Sequence, residues 1–435
     1  MKTLTAASVP KSRWVRIIPA VVLIYVVAAF DKTNISYAMA GGMSKSLSLT
    51  TTFSGLASGI FFIGYLFLQV PGGIIAERRN AKAYVAWTVV IFGLVAMLSG
   101  LAQNWWELLA SRFLLGVAEG GLFPAILIIL TRWFPREERG RANGFFLMNG
   151  PIAGFLGGPL GGWIMTFSNW RALFIIEGCL SFLLLAIFLP FISNRPEDDK
   201  HISEAERNYI VAKLAEEKKL VPQANMNLQV MQRVLRQPNS WKLIVVYFCM
   251  AVGIYGFSMW LPTTIENLTH TGIGMVGLLS ALPNIVSMIG CFALALWADR
   301  RGNSRFWTAF GLFGFAVCLV LSTWFKGDVW LSFVFILGCG FFLHSPSGVF
   351  WTIPPMLSDA DTAAAERGLI NGLGNLGGFV GPFFVGWLTT VANSSVSFYS
   401  LVIFTLIGVV VTMTLPRMGS GKSSRTATTD VSHAK

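Results

Sequence analysis

Arg139-Gly140-Arg141-Ala142-Asn143-Gly144 returns 228 residues later as Arg367-Gly368-Leu369-Ile370-Asn371-Gly372. Further along, Gly154-Phe155-Leu156-Gly157 with Gly162-Trp163 returns as Gly378-Phe379-Val380-Gly381 with Gly386-Trp387, at an offset of 224. Glu77-Arg78-Arg79 returns as Asp299-Arg300-Arg301, at an offset of 222. Three echoes at nearly one spacing describe a chain whose second half repeats the first.

The sequence around the echoes is apolar. Of its 435 residues 54% are hydrophobic and only 12% charged, with a mean hydropathy of +0.63. A soluble domain carries about 25% charge, so most of this chain is expected to be solvated by lipid. Runs of about 20 apolar residues, long enough to span a bilayer, fall near 17–40, 53–76, 83–102, 107–130, 143–166, 170–193, 241–266, 275–298, 305–325, 329–352, 366–391 and 396–416. The expected fold is therefore an all-α membrane protein, with twelve transmembrane helices in two pseudo-symmetric six-helix bundles, 1–193 and 241–416. The only long polar interval, 194–240, separates them, with a helical pattern from Ser203 to Lys219. The Ser-, Thr- and Lys-rich tail, 417–435, is expected to be disordered.

A net charge of +12 suggests nucleic acid until its placement is read. If the N-terminus is cytoplasmic, all but five of the 33 Lys and Arg residues fall in segments on that side. Lys45, Arg171 and Lys326 lie in the opposite loops, and Lys32 and Arg112 within helices. That asymmetry follows the positive-inside rule and predicts a multi-pass membrane protein with both termini and the central loop cytoplasmic; a bacterial inner membrane is the expected location. No nucleic-acid partner is expected, and the chain is read as a monomer in contact with membrane lipid. The basic start and the apolar run after it carry on past Asp31 and Lys32, too far for a signal peptide. All five cysteines lie in apolar segments without CxxC spacing, as buried hydrophobes do.

Four charges stand where lipid should exclude them: Asp31 and Lys32 in the first segment, Arg112 and Glu119 in the fourth. A charge at membrane depth costs at least ~2.5–3.5 kcal/mol, so such groups pair and face the protein interior. Arg112 and Glu119 are seven residues apart, which puts them on one helical face with ~10 Å between their Cα atoms. Two acids and two bases at similar depth suit the joint movement of a proton and an anion. The alternative is a structural network that pins segments one and four together.

Other polar groups in apolar segments are candidates of the second rank. Tyr65 lies at the centre of segment two, and Asn149 and Asn375 carry carboxamides that can bind a hydroxyl or bridge helices. His344 is the only histidine inside a segment and is read as a packing residue beside the Ser345-Pro346-Ser347-Gly348 run, with a place in a proton relay as the alternative. Glu177 lies toward the outer end of segment six and is expected at the membrane interface. Glu77, Arg78, Asp299 and Arg300, at helix ends on the basic side, are expected to act as conformational latches. A GxxxxGK[ST] loop, an HExxH motif and clustered His and Cys ligands are all missing. These omissions speak against ATP-driven transport, a resident metal, a cofactor or an enzyme, and 194–240 is too short for the output domain of a sensor.

Gly73-Ile74-Ile75-Ala76-Glu77-Arg78-Arg79 resembles the loop motif of the major facilitator superfamily, with Glu in place of the commoner Asp. Trp133-Phe134-Pro135 to Arg139, with Arg112 to Glu119, is similar to the anion:cation symporter family of sugar-acid, tartrate, phthalate and related organic-anion transporters. The resemblance covers roughly residues 14–416. It implies the major facilitator fold and proton-coupled symport of a small organic anion, with exchange or facilitation as the alternative. It also implies that Asp31 and Glu119 couple protons, and that Lys32, Tyr65, Arg112, Trp351 and Asn371 contribute to the substrate site. The family usually has Arg where this chain has Lys32, and lysine offers a point charge in place of a two-pronged clamp.

Overall fold

The computed structural model describes residues 11–220, 228–358, 362–392 and 394–416. The tail expected to be disordered, 417–435, lies outside the described residues. All regular structure among the described residues is helical.

The first half comprises α1 (Ser12–Ala38, continued through a π-helical turn, Met39–Met43), α2 (Thr51–Arg78) and α3 (Ala81–Leu101). It continues with α4 (Trp105–Glu119 and Leu122–Trp133), α5 (Arg136–Leu147 and Asn149–Phe167) and α6 (Trp170–Phe191). In the second half, α7 is Pro238–Thr269, α8 Ile273–Arg301 and α9 Ser304–Trp324. α10 begins as Val329–Leu343 and goes on as two short helices, α11 comprises Ala363–Gly374 and Gly377–Val391, and α12 is Ser394–Met413. Eleven of these spans are long and apolar enough to cross a membrane. The remaining expected span is α5, whose 19-residue second piece, Asn149–Phe167, is rich in glycine and proline.

Helix starts follow from capping chemistry. The side chains of Thr50, Asn80, Asn104, Asn169, Asn303 and Asp328 accept from backbone N–H groups that the first turn would leave unpaired. Segments four, five, ten and eleven are interrupted. α4 breaks after Glu119 and α10 after Leu343, while α5 breaks at Met148 and α11 at Asn375 and Leu376. The interruptions thus recur at the spacing of the sequence echoes, and broken helices of this kind mark the central sites of many transporters.

Close packing at glycine sets where the helices cross. A Cβ on Gly116 would sit 1.9 Å from the Phe61 carbonyl oxygen, and one on Gly120 2.3 Å from that of Tyr65, so α2 and α4 touch backbone to backbone. Between the halves, a Cβ on Gly55 would meet the Pro382 carbonyl at 2.4 Å, and one on Gly158 that of Gly277 at the same distance. Thr51 and Thr52 each share a hydrogen bond with Thr390, at 2.6 and 2.8 Å. These contacts of α2 with α11 and α5 with α8 lie in the part of the bundle remote from the end that carries residues 11 and 416.

At that terminal end the central interval is docked. Arg13, one of the basic residues counted on the cytoplasmic side, is 1% exposed and held between Glu138 and Glu206, at 2.7 Å from each. Glu206 belongs to the central helix Glu204–Leu220, whose Glu217 also pairs with Arg139 at 3.0 Å. Burial favours the neutral form of the nearby Asp199, but the His201 N–H and the Arg16 guanidinium outweigh it and hold its carboxyl below the usual range.

Candidate functional site

The four charges meet. Arg112 reaches across from α4 to α1, where its Nη1 donates to the Asp31 carbonyl at 3.1 Å and stands 3.6 Å from the Asp31 carboxylate. Both side chains are fully buried. Lys32, the next residue of α1, points to another face, with its ammonium 3.6 Å from Glu119 Oε2. Adjacent residues of a helix diverge by about 100°, so neighbours on α1 serve two different partners on α4.

Lys32 is ringed by aromatics. Its ammonium lies 4.9 Å from the ring centres of both Tyr25 and Tyr65 and 5.8 Å from that of Phe61, and it donates to the Tyr25 hydroxyl at 3.4 Å. The close approach of α2 to α4 at Gly116 and Gly120 brings Phe61 and Tyr65 there. Ring faces attract a cation without neutralising it, so Lys32 keeps its charge available. Its side chain is 9% exposed, against none for Arg112, which makes Lys32 the more accessible cation of the pair.

Glu177 is the correction. Expected at the interface, it is 2% exposed and belongs to the buried stripe of α6, with Phe174, Gly178 and Ser181. The Asn34 carboxamide donates both to Asp31 Oδ1, at 3.2 Å, and to Glu177. The signal in the sequence was the company Glu177 keeps. Gly178 and Ser181 share its side of the helix, whereas Ile176 and Leu183 look outward. Depth along the helix misled, because rotation about the helix axis decides which face an acid occupies.

Across from this cluster the second half presents more aromatics. Tyr255 of α7 packs on Phe62 with ring centres 4.3 Å apart. Tyr247, two turns earlier, packs against Trp351 with ring centres 5.1 Å apart and the planes tilted by 60°. Sequence reasoning missed Tyr25, Tyr247 and Tyr255, since tyrosine within a helical run carries no mark of the face it occupies.

The two halves and the site they enclose have counterparts among known proteins. The Major Facilitator Superfamily model matches residues 21–373, across both halves. The chain belongs to the major facilitator superfamily. A putative tartrate transporter of Agrobacterium vitis is 31% identical, over 95% of this chain and 92% of its own length. A quinolone resistance transporter of Acinetobacter baumannii is 30% identical, over 91% of this chain and 92% of its own. A bacterial homologue of the human lysosomal transporter Spinster, inward-facing and unoccupied, superposes with a TM-score of 0.74 at 17% identity, covering 93% of this chain and 97% of that one. Fold and family together make this a transport protein and not an enzyme.

The remaining candidates of this facilitator chain separate into groups. Asn375 donates to both the backbone oxygen and the side-chain oxygen of Asn371, each at 2.8 Å, which ties the two into one polar unit at the break of α11. Trp351 and Asn371 are partly exposed, whereas Asn149 is buried and donates to its own helix at Phe146, at 2.6 Å. His344 caps the broken end of α10 and belongs to neither the acid nor the base cluster. Glu77, Arg78, Asp299 and Arg300 are exposed and form no ion pair among the described residues. Arg132 donates instead to the backbone oxygens of Ala76 and Glu77, at 3.3 and 2.9 Å, and so ties the end of α2 to α4.

Proposed function

We propose that this protein is a proton-coupled symporter that imports a small organic anion by alternating access, with both termini in the bacterial cytoplasm. The cargo is a carboxylate, a sugar acid or a hydroxy or aromatic acid. The observation that carries this reading is the pair of interlocked acid–base contacts, Asp31 with Arg112 and Lys32 with Glu119, in which Lys32 is the most exposed member. A carboxylate arriving at Lys32 takes the place of Glu119. The displaced Glu119, buried at 1% exposure, is then an uncompensated charge. Such a charge costs at least ~2.5–3.5 kcal/mol in a membrane interior, and a proton removes it. Anion and proton therefore load together, and the neutral, loaded site is the one that can be carried through the change of access.

Tyr65, with Trp351, Asn371 and Asn375 opposite, offers hydroxyl, indole and carboxamide donors for the body of the substrate. Arg112 acts from behind, by holding Asp31. Asn149, bonded to its own helix, is available to a substrate hydroxyl only on giving up that bond. The tartrate relative supports an anionic cargo, and the quinolone-resistance relative widens the panel of acids worth testing.

The deciding measurement is uptake by the purified protein in proteoliposomes with an imposed pH gradient. The labelled panel comprises aldonates, aldarates, tartrate, aromatic acids, short sulfonates and a quinolone. Accumulation of one acid that a protonophore collapses is expected. Counterflow without any response to the gradient would establish an exchanger instead. Failure of every acid would remove the anion reading.

The latch residues, unpaired here, are assigned to the opposite state, in which the terminal ends of the halves close. Arg78→Ala should slow turnover several-fold while leaving substrate binding from the far side within about twofold. An unchanged rate of uptake would reduce Arg78 to a topological charge.

A further inference from the structure

The charge count at the site does not close with four residues. Asp31, Glu119 and Glu177 are three buried acids, and Lys32 and Arg112 are two buried bases. Both bases are engaged, Arg112 with Asp31 and Lys32 with Glu119. Glu177 makes no ion pair among the described residues, and its one hydrogen bond, from Asn34, reaches Oε2 only. Its Oε1 is buried without a hydrogen-bond partner, as are Nε and Nη2 of Arg112. Asn34 of α1 touches Glu177, and the charged groups whose fields reach it are Asp31 from α1 and Arg112 and Glu119 from α4. The apolar stretches of α3 and α5 that also pack on α6 carry no ionisable residue.

We propose that Glu177 is a third proton-binding site of this transporter, and that it carries the proton while both ion pairs are closed, as they are here. The geometry favours this for a stated reason. Three ionised acids with two bases leave one negative charge in a site with no water-exposed counter-ion, whereas one proton brings the site to neutrality. Asp31 and Glu119 each have a base 3.6 Å away and Glu177 has none among the described residues, so the proton is assigned to Glu177.

The same arrangement gives Glu177 a task in the cycle. Arg112 has two unused donors, and Glu177 one unused acceptor, within the same cluster. When Asp31 takes a proton it releases Arg112, which can turn to Glu177. Glu177 then gives up its proton and becomes the counter-ion of Arg112. One proton leaves Glu177 and one joins Asp31, so the charge is conserved and no base is left unpaired. Asn34, with a donor on each acid, holds the two carboxyls at the spacing this exchange requires. The task in the cycle rests on the symport reading above, while the resting proton does not.

The test is infrared difference spectroscopy of the purified full-length chain without substrate, titrated from acid to alkaline pH in H2O and D2O. A protonated carboxyl absorbs apart from its ionised form and shifts on deuteration. Wild-type protein at neutral pH is expected to show one protonated-carboxyl band, which Glu177→Gln removes and Glu177→Asp restores. Asn34→Ala, which takes away the hydrogen bond to Glu177, should move the band to higher frequency and so guards against a misfolded Glu177→Gln protein. A neutral-pH band unchanged by Glu177→Gln and by Asn34→Ala overturns the proposal. The same proteins in proteoliposomes, assayed with the acid panel, should show a pH profile for Glu177→Gln that is flatter than wild type on its alkaline side. Absence of uptake by the wild type would refute symport and leave the infrared result, and the resting proton, to stand or fall separately.

Discussion

Glu119→Gln is expected to abolish accumulation of substrate against a gradient while retaining exchange of internal for external substrate. Glutamine has nearly the shape of a protonated glutamate, so the loaded state forms without taking a proton from solution. The site can still bind an anion at Lys32 and change its direction of access, but the proton gradient no longer biases it. Lys32 loses the partner 3.6 Å away and is left with the rings of Tyr25 and Tyr65, so affinity for an anion should rise several-fold at alkaline pH. Counterflow and pH-driven uptake measured side by side in proteoliposomes separate these effects. Concentrative uptake by the variant would strip Glu119 of an essential coupling role and turn attention to Asp31.

Arg112→Ala is expected to remove transport and to destabilise the protein as well. Arg112 has no exposed side-chain area, donates to the Asp31 carbonyl and stands 3.6 Å from its carboxylate. Removing one partner of a buried pair typically costs ~3–5 kcal/mol, because the other charge stays behind uncompensated. The double variant Asp31→Asn/Arg112→Ala removes both charges and should recover most of the thermal stability. Whether it recovers transport decides between the two readings of these charges. A purely structural network predicts that stability and transport return together. A coupling role predicts a stable protein that does not concentrate substrate. Arg112→Lys keeps the charge but not the two-pronged reach of the guanidinium, and is expected to fall between wild type and Arg112→Ala in both measurements.

Much of the site was legible because a charge in an apolar run is so costly that it announces itself. Asp31, Lys32, Arg112 and Glu119 were marked by that cost, and their depth along segments one and four was enough to suggest that they meet. Which acid faces which base was not legible. Asp31 and Lys32 are adjacent, and only the rotation of α1 against α4 sends one to Arg112 and the other to Glu119. Glu177 was misread for a related reason. Its depth suggested an interface, but its azimuth on α6 turns it toward Asn34.

The helical membrane class, the duplicated architecture and the family were determined by the sequence alone. Long apolar runs have one way to satisfy their backbone in lipid, and a repeat leaves its echoes at a constant offset. The breaks in α4 and α11, the burial of Arg13 between two acids from distant segments, and the tyrosines around Lys32 were decided only by tertiary structure. Each depends on how far one helix can approach another. That distance is set where backbone meets backbone, as at Gly116 against Phe61, between residues far apart in the chain. Hydropathy is a property of each segment by itself, whereas the direction in which a side chain points is a property of the pair.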